Sequence, residues 1–257
     1  MPGGGTMQPS FQNPNLLMTT PLRLNSGRYD AALVDLDGTL VDTLGDFVAA
    51  LRLMLADVLP PEYAGVTLDA ADVGAKVGKG SEHLVESVLN HVFTQAGRAQ
   101  AAIDSVAYYE RAQASYQRHY AAINGQHAAL YPGVLEGLNR LQKSGLRLVC
   151  LTNKPLAFAR SLLKLKGLDG FFCEVFGGDS FERKKPDPLP LLKTCEFLGT
   201  LPARTLMIGD SSNDARAARA AGCPVLLVTY GYNHGEPVRT VDADGFLDSL
   251  AELSERR

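Results

Sequence analysis

Two carboxylates stand at the end of an apolar run in the stretch AALVDLDGTLVDT, residues 31 to 43. Ala31, Ala32, Leu33 and Val34 have the unbroken apolar character of a strand buried on both faces, as in a parallel sheet. Asp35 and Asp37 follow two positions apart, so on extended backbone both carboxylates leave the same face. Like charges held together are unfavourable unless a cation or shared chemistry compensates them. The pair therefore predicts a reactive or cation-binding site.

Three later segments carry groups that such a site could use. Thr152-Asn153-Lys154-Pro155 ends an apolar run and opens a helix. A helix start has free backbone N–H groups and the positive end of the dipole, which suit a phosphate. Arg183-Lys184-Lys185-Pro186-Asp187-Pro188 supplies cations, and Gly209-Asp210-Ser211-Ser212-Asn213-Asp214 supplies acids, again opening a helix.

These segments need a frame. The stretch VDTLGDFVAALRLMLADVL has apolar residues at helical spacing and stops at Pro60 and Pro61, and two more helices are predicted over 81–96 and 101–122. No strand-like run occurs between 45 and 125. Beyond that the chain alternates. Helices are predicted near 133–144, after Pro155, near 188–198 and up to Ala221, with strands at 146–152, 171–176, 204–209 and 224–229. Strand–helix alternation predicts an α/β fold, a doubly wound parallel-sheet, Rossmann-like core with helices on both faces. The all-helical stretch interrupts it directly after the first strand and reads as an inserted cap. The expected division is core over 29–44, helical cap over 45–125 and core over 126–257. In such sheets ligands bind beyond the carboxyl ends of the strands, where all four segments lie.

At 257 residues the chain can bury a full core. Its 46% hydrophobic and 21% charged residues are ordinary for a globular protein, and a net charge of −3 gives no reason to expect nucleic acid or an anionic membrane as partner. No run approaches the roughly eighteen apolar residues of a membrane span. Cys150, Cys173, Cys195 and Cys223 lack paired spacing, which argues against zinc or a disulfide scaffold and fits a cytoplasmic protein. Residues 1–28, with four prolines, a Gly run and no signal-peptide pattern, read as a disordered tail, and Met7 or Met18 is an alternative start.

Other readings of these residues fail on detail. A calcium loop wants an acid or amide at its fifth position and Gly at its sixth, where this chain has Thr39 and Leu40. VGKGS, residues 77–81, is no P-loop, because Gly80 follows Lys79 and Val73 stands in place of the leading Gly. Asp242 and Asp244 in VDADGF follow no apolar strand and read as a solvated turn.

Taken in order, the four segments resemble the signature motifs of the haloacid dehalogenase superfamily, and the resemblance runs from about residue 30 to the end. It implies that Asp35 is the nucleophile, forming an aspartyl-phosphate, and that Asp37 is the general acid and base. An acid at 37 favours phosphoryl transfer over carbon–halogen cleavage. Converging carboxylates and a phosphate dianion require cations, and Mg2+, with its oxygen ligands, suits them. By resemblance the metal is held by Asp35, the backbone carbonyl of Asp37 and Asp210, with Asp214 acting directly or through water. Lys185 matches the lysine beside the phosphate, with Lys184 as the alternative, and Thr152 and Asn153 hold phosphate oxygens.

The helical insertion resembles the cap of the phosphoglycolate phosphatase branch, as do VGKGSEHLVESVL, YPGV, FGGDSFERKKPDPLPLL and TYGYNHGEPV. That implies a magnesium-dependent phosphomonoesterase acting on a small phosphorylated carboxylate, 2-phosphoglycolate, as a monomer or homodimer. Gly78, Lys79 and Ser81, at a turn opening a helix, are the expected readers of the substrate carboxylate, with Lys79 in solvent as the alternative. Another small-molecule phosphatase, a phosphosugar mutase and an aspartyl-phosphorylated signalling domain are the competing functions.

Overall fold

A computed structural model describes residues 23–24, 27–63, 65–97 and 101–255 of the chain. Its strands are β1 (Arg23–Leu24), β2 (Ala31–Val34), β3 (Val41–Asp42), β4 (Ala129–Leu130), β5 (Arg147–Leu151), β6 (Glu174–Phe176), β7 (Thr205–Gly209), β8 (Val225–Val228), β9 (Gly245–Leu247) and β10 (Ser254–Glu255). Its helices are α1 (Leu44–Val58), α2 (Ala70–Gly74), α3 (Ser81–Gln95), α4 (Ala101–Ile123), α5 (Val134–Lys143), α6 (Leu156–Leu165), α7 (Leu189–Leu198) and α8 (Ser212–Ala221).

Six strands form one sheet in the order β6-β5-β2-β7-β8-β9, and every neighbouring pair is parallel. The apolar run at the nucleophile segment is its central strand. Side chains of β2 alternate between two cores: Ala32 and Val34 pack with Leu138, Leu141 and Leu162 of α5 and α6. Ala31 and Leu33 pack with Leu191, Cys195 and Ala218 of α7 and α8. Burial on both faces explains why the strand reads as continuous apolar sequence. This is the doubly wound α/β core that the alternation predicts.

The helical stretch builds a third core of its own. Phe47, Leu51 and Met54 of α1 recur at helical spacing and meet Leu84, Val88 and Val92 of α3 and Tyr116 and Tyr120 of α4. Its entry and exit are tied together. β3 pairs antiparallel with β4, Val41 opposite Leu130. The buried carboxylate of Asp46 accepts the backbone N–H of Gly125 at 2.6 Å and of His127 at 2.7 Å. Lys166, directly after α6, donates to the carbonyls of Gly125 and Ala128.

Several elements differ from expectation. The strand expected over 171–176 shortens to Glu174–Phe176, because Asp169–Phe171 forms a 3-10 turn. β9 is an unanticipated edge strand, and its polar lead-in Asp242 and Asp244 is exposed and paired with Arg219. The tail expected over 1–28 lies outside the described residues, apart from β1, which pairs with β10, and Gly27 and Arg28.

Candidate active site

From β2 the chain steps to β5 and β6 on one side and then returns to β7 on the other, so the topological switch lies beside β2. Asp35 leaves the end of β2, Thr152 follows β5 and Asp210 follows β7, which brings three of the four segments to one crevice. The fourth arrives through Lys185. A small cavity of about 50 Å³ opens there, and the charged residues lining it are Asp35, Asp37, Asp210, Asp214, Lys154 and Lys185.

Lys185 is the hub. Its ammonium donates to Leu151 O at 2.8 Å and Asp214 Oδ1 at 2.7 Å, and lies 3.0 Å from Asp35 Oδ1. Burial works against its charge, but Asp214 and Asp35 outweigh burial and hold its pKa above the usual lysine range. Lys184 points elsewhere: it pairs with Glu82 at 2.8 Å and is 35% exposed, against 3% for Lys185. The side chain of Asp214 closes a capping box on α8 by accepting the Ser211 N–H at 3.2 Å, and it also accepts from the Ser211 hydroxyl at 2.8 Å, so most of its oxygen capacity is used by protein donors.

Asp210 is enclosed. Its Oδ2 accepts the Tyr232 N–H at 2.7 Å, and Thr39 Oγ1 lies 3.5 Å from Oδ1. Gly38 has a φ of +83°, and a Cβ there would stand 2.3 Å from Asp210 Oδ2, so the turn after Asp37 requires glycine for both conformation and space. Asp37 turns toward the helical segment, where its Oδ1 accepts from Thr43 Oγ1 at 2.8 Å and from Lys154 Nζ at 3.0 Å.

The donor set can be tested for a divalent cation. Ligand atoms of Asp35, Asp210 and Asp214 lie within 4.8 Å of one another, and all three residues are buried. Burial, the charges of Asp214 and Asp37 and the opposing pull of Lys185 leave Asp35 pushed up to about 6. Burial and then Asp214 and Asp35 raise Asp210 well above the carboxylate range. Asp35 Oδ1 has the Lys185 ammonium at 3.0 Å and makes no well-aligned hydrogen bond. Four carboxylates face two ammonium groups, so the protein's own charges do not balance and an oxygen-preferring dication fits.

The remaining expected residues divide. Thr152 is buried and lines the cavity. The side-chain amide of Asn153 is committed to the protein: it donates to Gly78 O and Lys185 O and accepts the Lys185 N–H. Gly78 and Ser81 line the cavity, and the Gly78 carbonyl also accepts from Asn213. Lys79 does not line it. Gly78 and Gly80 have φ values of +107° and +95°, and between them Lys79 is exposed in a separate groove with Arg216 and His234. Sequence reasoning missed Lys154 and the walls formed by Phe47, Tyr116, Tyr120 and Phe158. The visible signal for Lys154 was its place in the segment right after β5, where it read only as part of a helix start.

A family model for haloacid dehalogenase-like hydrolases matches residues 29–222. A phosphoglycolate phosphatase of Thiobacillus denitrificans is 43% identical over 224 residues, covering 87% of this chain and 93% of its own. Another, from Nitrosospira multiformis, is 41% identical over 225 residues, 88% of this chain and 94% of its own. The crystal structure of a predicted phosphoglycolate phosphatase from Haemophilus somnus superimposes with a TM-score of 0.80 at 30% identity, covering 89% of this chain and 97% of that one. The protein is a haloacid dehalogenase-like hydrolase.

Proposed function

We propose that the protein hydrolyses 2-phosphoglycolate to glycolate and phosphate through an aspartyl-phosphate on Asp35, with Mg2+ as cofactor. The observation that carries this reading is the pairing of Asp35 with Lys185 beside Asp210, while Asp37 faces the other side of the cavity. Relatives named phosphoglycolate phosphatase at 41–43% identity support the substrate. The small cavity suits a small ester.

Each side chain has a role that follows from its partners. A carboxylate oxygen of Asp35 attacks phosphorus as the ester P–O bond breaks. Asp37 protonates the departing alkoxide, then takes a proton from the water that cleaves the acyl-phosphate. Lys185, kept charged by Asp214 and Asp35, holds positive charge beside the nucleophile and the incoming phosphate. Thr152 and the helix start after it face the phosphate oxygens. The metal would be held by Asp35, Asp210 and the Asp37 carbonyl, with Asp214 anchoring Lys185 beside it, and when bound it neutralises phosphate charge. The helices α1–α4 serve as the cap that excludes water from the reacting atoms. Four thiols without a disulfide support a reducing, cytoplasmic location.

The test is phosphate release from 2-phosphoglycolate with Mg2+, beside a panel of small phosphate monoesters ranked by kcat/KM. Preference for a carboxyl-free ester, or transfer of the phosphoryl group to a sugar instead of water, would overturn the substrate assignment.

A further inference from the structure

A substrate with a carboxylate next to its phosphoester carbon brings a second anion, and a buried site needs a cation to receive it. Among the described residues, the cations that line the cavity are Lys154 and Lys185. Lys185 already faces two carboxylates, Asp214 and Asp35, besides Leu151 O. Lys79 lies in another groove. Lys154 is different. Its side chain is 2% exposed and it faces a single carboxylate: its acceptors among the described residues are Asp37, at 3.0 and 3.3 Å, and the neutral hydroxyl of Tyr120. The ammonium lies 5.1 Å from the Phe47 ring centroid and 4.7 Å from that of Tyr120. Aromatic faces stabilise a cation weakly compared with water or a second carboxylate.

We infer that Lys154 reads the carboxylate of the substrate, an inference that rests on the activity proposed above. Asp37 addresses the ester oxygen, and Lys154 is within hydrogen-bond distance of Asp37 on the side facing the helical segment. A carboxylate attached to the ester carbon is two bonds from that oxygen, and so reaches the same place. Tyr116 lines the cavity and is 2% exposed. It offers a second donor to that anion. Phe47, Phe158 and Leu84 wall the space and limit what the carboxylate can carry.

The experiment compares matched pairs of ligands. For turnover, 2-phosphoglycolate is set against ethyl phosphate, which lacks only the carboxylate oxygens. For binding, 3-phosphonopropionate, in which CH2 replaces the ester oxygen, is set against propylphosphonate as inhibitors. Wild-type protein is expected to favour the carboxylated member of each pair by at least about tenfold, and Lys154→Met to reduce that ratio by about 10- to 100-fold, the loss of one charge-assisted hydrogen bond. Lys154→Arg keeps the charge and is expected to retain much of the preference. If Lys154→Met lowers both members equally, the lysine only positions Asp37 and the inference is overturned. Equal inhibition of the wild type by the two phosphonates overturns it without any variant. If the wild type ignores 2-phosphoglycolate yet prefers 3-phosphoglycerate to glycerol phosphate, the substrate assignment falls. Loss of that preference in Lys154→Met then supports the lysine's role, and its persistence overturns it.

Discussion

Gly231 gives the sharpest test of the site because its substitution displaces Asp210 without replacing a charged residue. A Cβ at position 231 would lie 2.2 Å from Asp210 Cβ and 2.4 Å from its Oδ2, whereas ordinary contact begins near 3.4 Å. Asp210 must therefore retreat by about 1 Å, and Gly38 closes the opposite side. The retreat strains the 2.7 Å hydrogen bond from the Tyr232 N–H. A displacement of about 1 Å in a reacting constellation costs about 10²-fold in rate. We expect Gly231→Ala to lower kcat/KM by about that factor and to raise the Mg2+ concentration for half-maximal activity about tenfold, since a ligand has moved. The assay is phosphate release across a Mg2+ titration, with thermal melting to verify folding. Gly170→Ala is the control, because nothing lies within 4 Å of a Cβ there. Wild-type turnover and Mg2+ dependence in Gly231→Ala would refute both the packing argument and the assignment of Asp210.

Three further expectations follow from other parts of the structure. Asp35→Asn is expected to abolish turnover, whereas Asp37→Asn, which keeps the contacts to Thr43 and Lys154, is expected to lose about 10²–10⁴-fold in kcat; steady-state kinetics of the two variants separates nucleophile from proton carrier. Chelation is expected to remove activity, Mg2+ to restore it and Ca2+ to inhibit, because Ca2+ takes more and longer oxygen contacts; full activity in chelator contradicts the site. Asp46→Ala removes the acceptor of two backbone N–H groups, one buried and one part-buried, and is expected to cost about 3 kcal/mol of stability, read from denaturant unfolding; an unchanged midpoint would show that the Gly125–His127 connection needs no such clasp.

Much of the site was legible because its parts sit just past strand ends. A parallel strand buried on both faces announces itself as an apolar run, and the topology then gathers whatever follows it. Asp35, Thr152 and Asp210 needed no further information. Lys184 and Lys185 did, since adjacent residues point apart and only the packing of their loop against Asn153 and Asp214 decides which ammonium is buried. Lys79 misled because glycines at positive φ on both sides turned it outward, and a sequence does not show which way such a turn faces. β9 escaped notice because three residues after a polar turn carry no periodicity. Lys154 was in view but without its surroundings, which come from Phe47 and Tyr120, residues far away in the chain.

The opening pair of acids is resolved by what each one meets. Both side chains are 12% exposed, so burial alone does not divide their roles. Partners do. Lys185 ties Asp35 to the core, beside Asp210 and Asp214, where the phosphate and the metal would lie. Lys154 and Thr43 turn Asp37 toward the helical segment, where the leaving group would depart. A nucleophile needs its charge held next to phosphorus, and a proton carrier needs to reach the ester oxygen from the opposite side. Lys185 and Lys154 give the two carboxylates separate surroundings, which alternation along an extended chain could not do, because it sends both the same way.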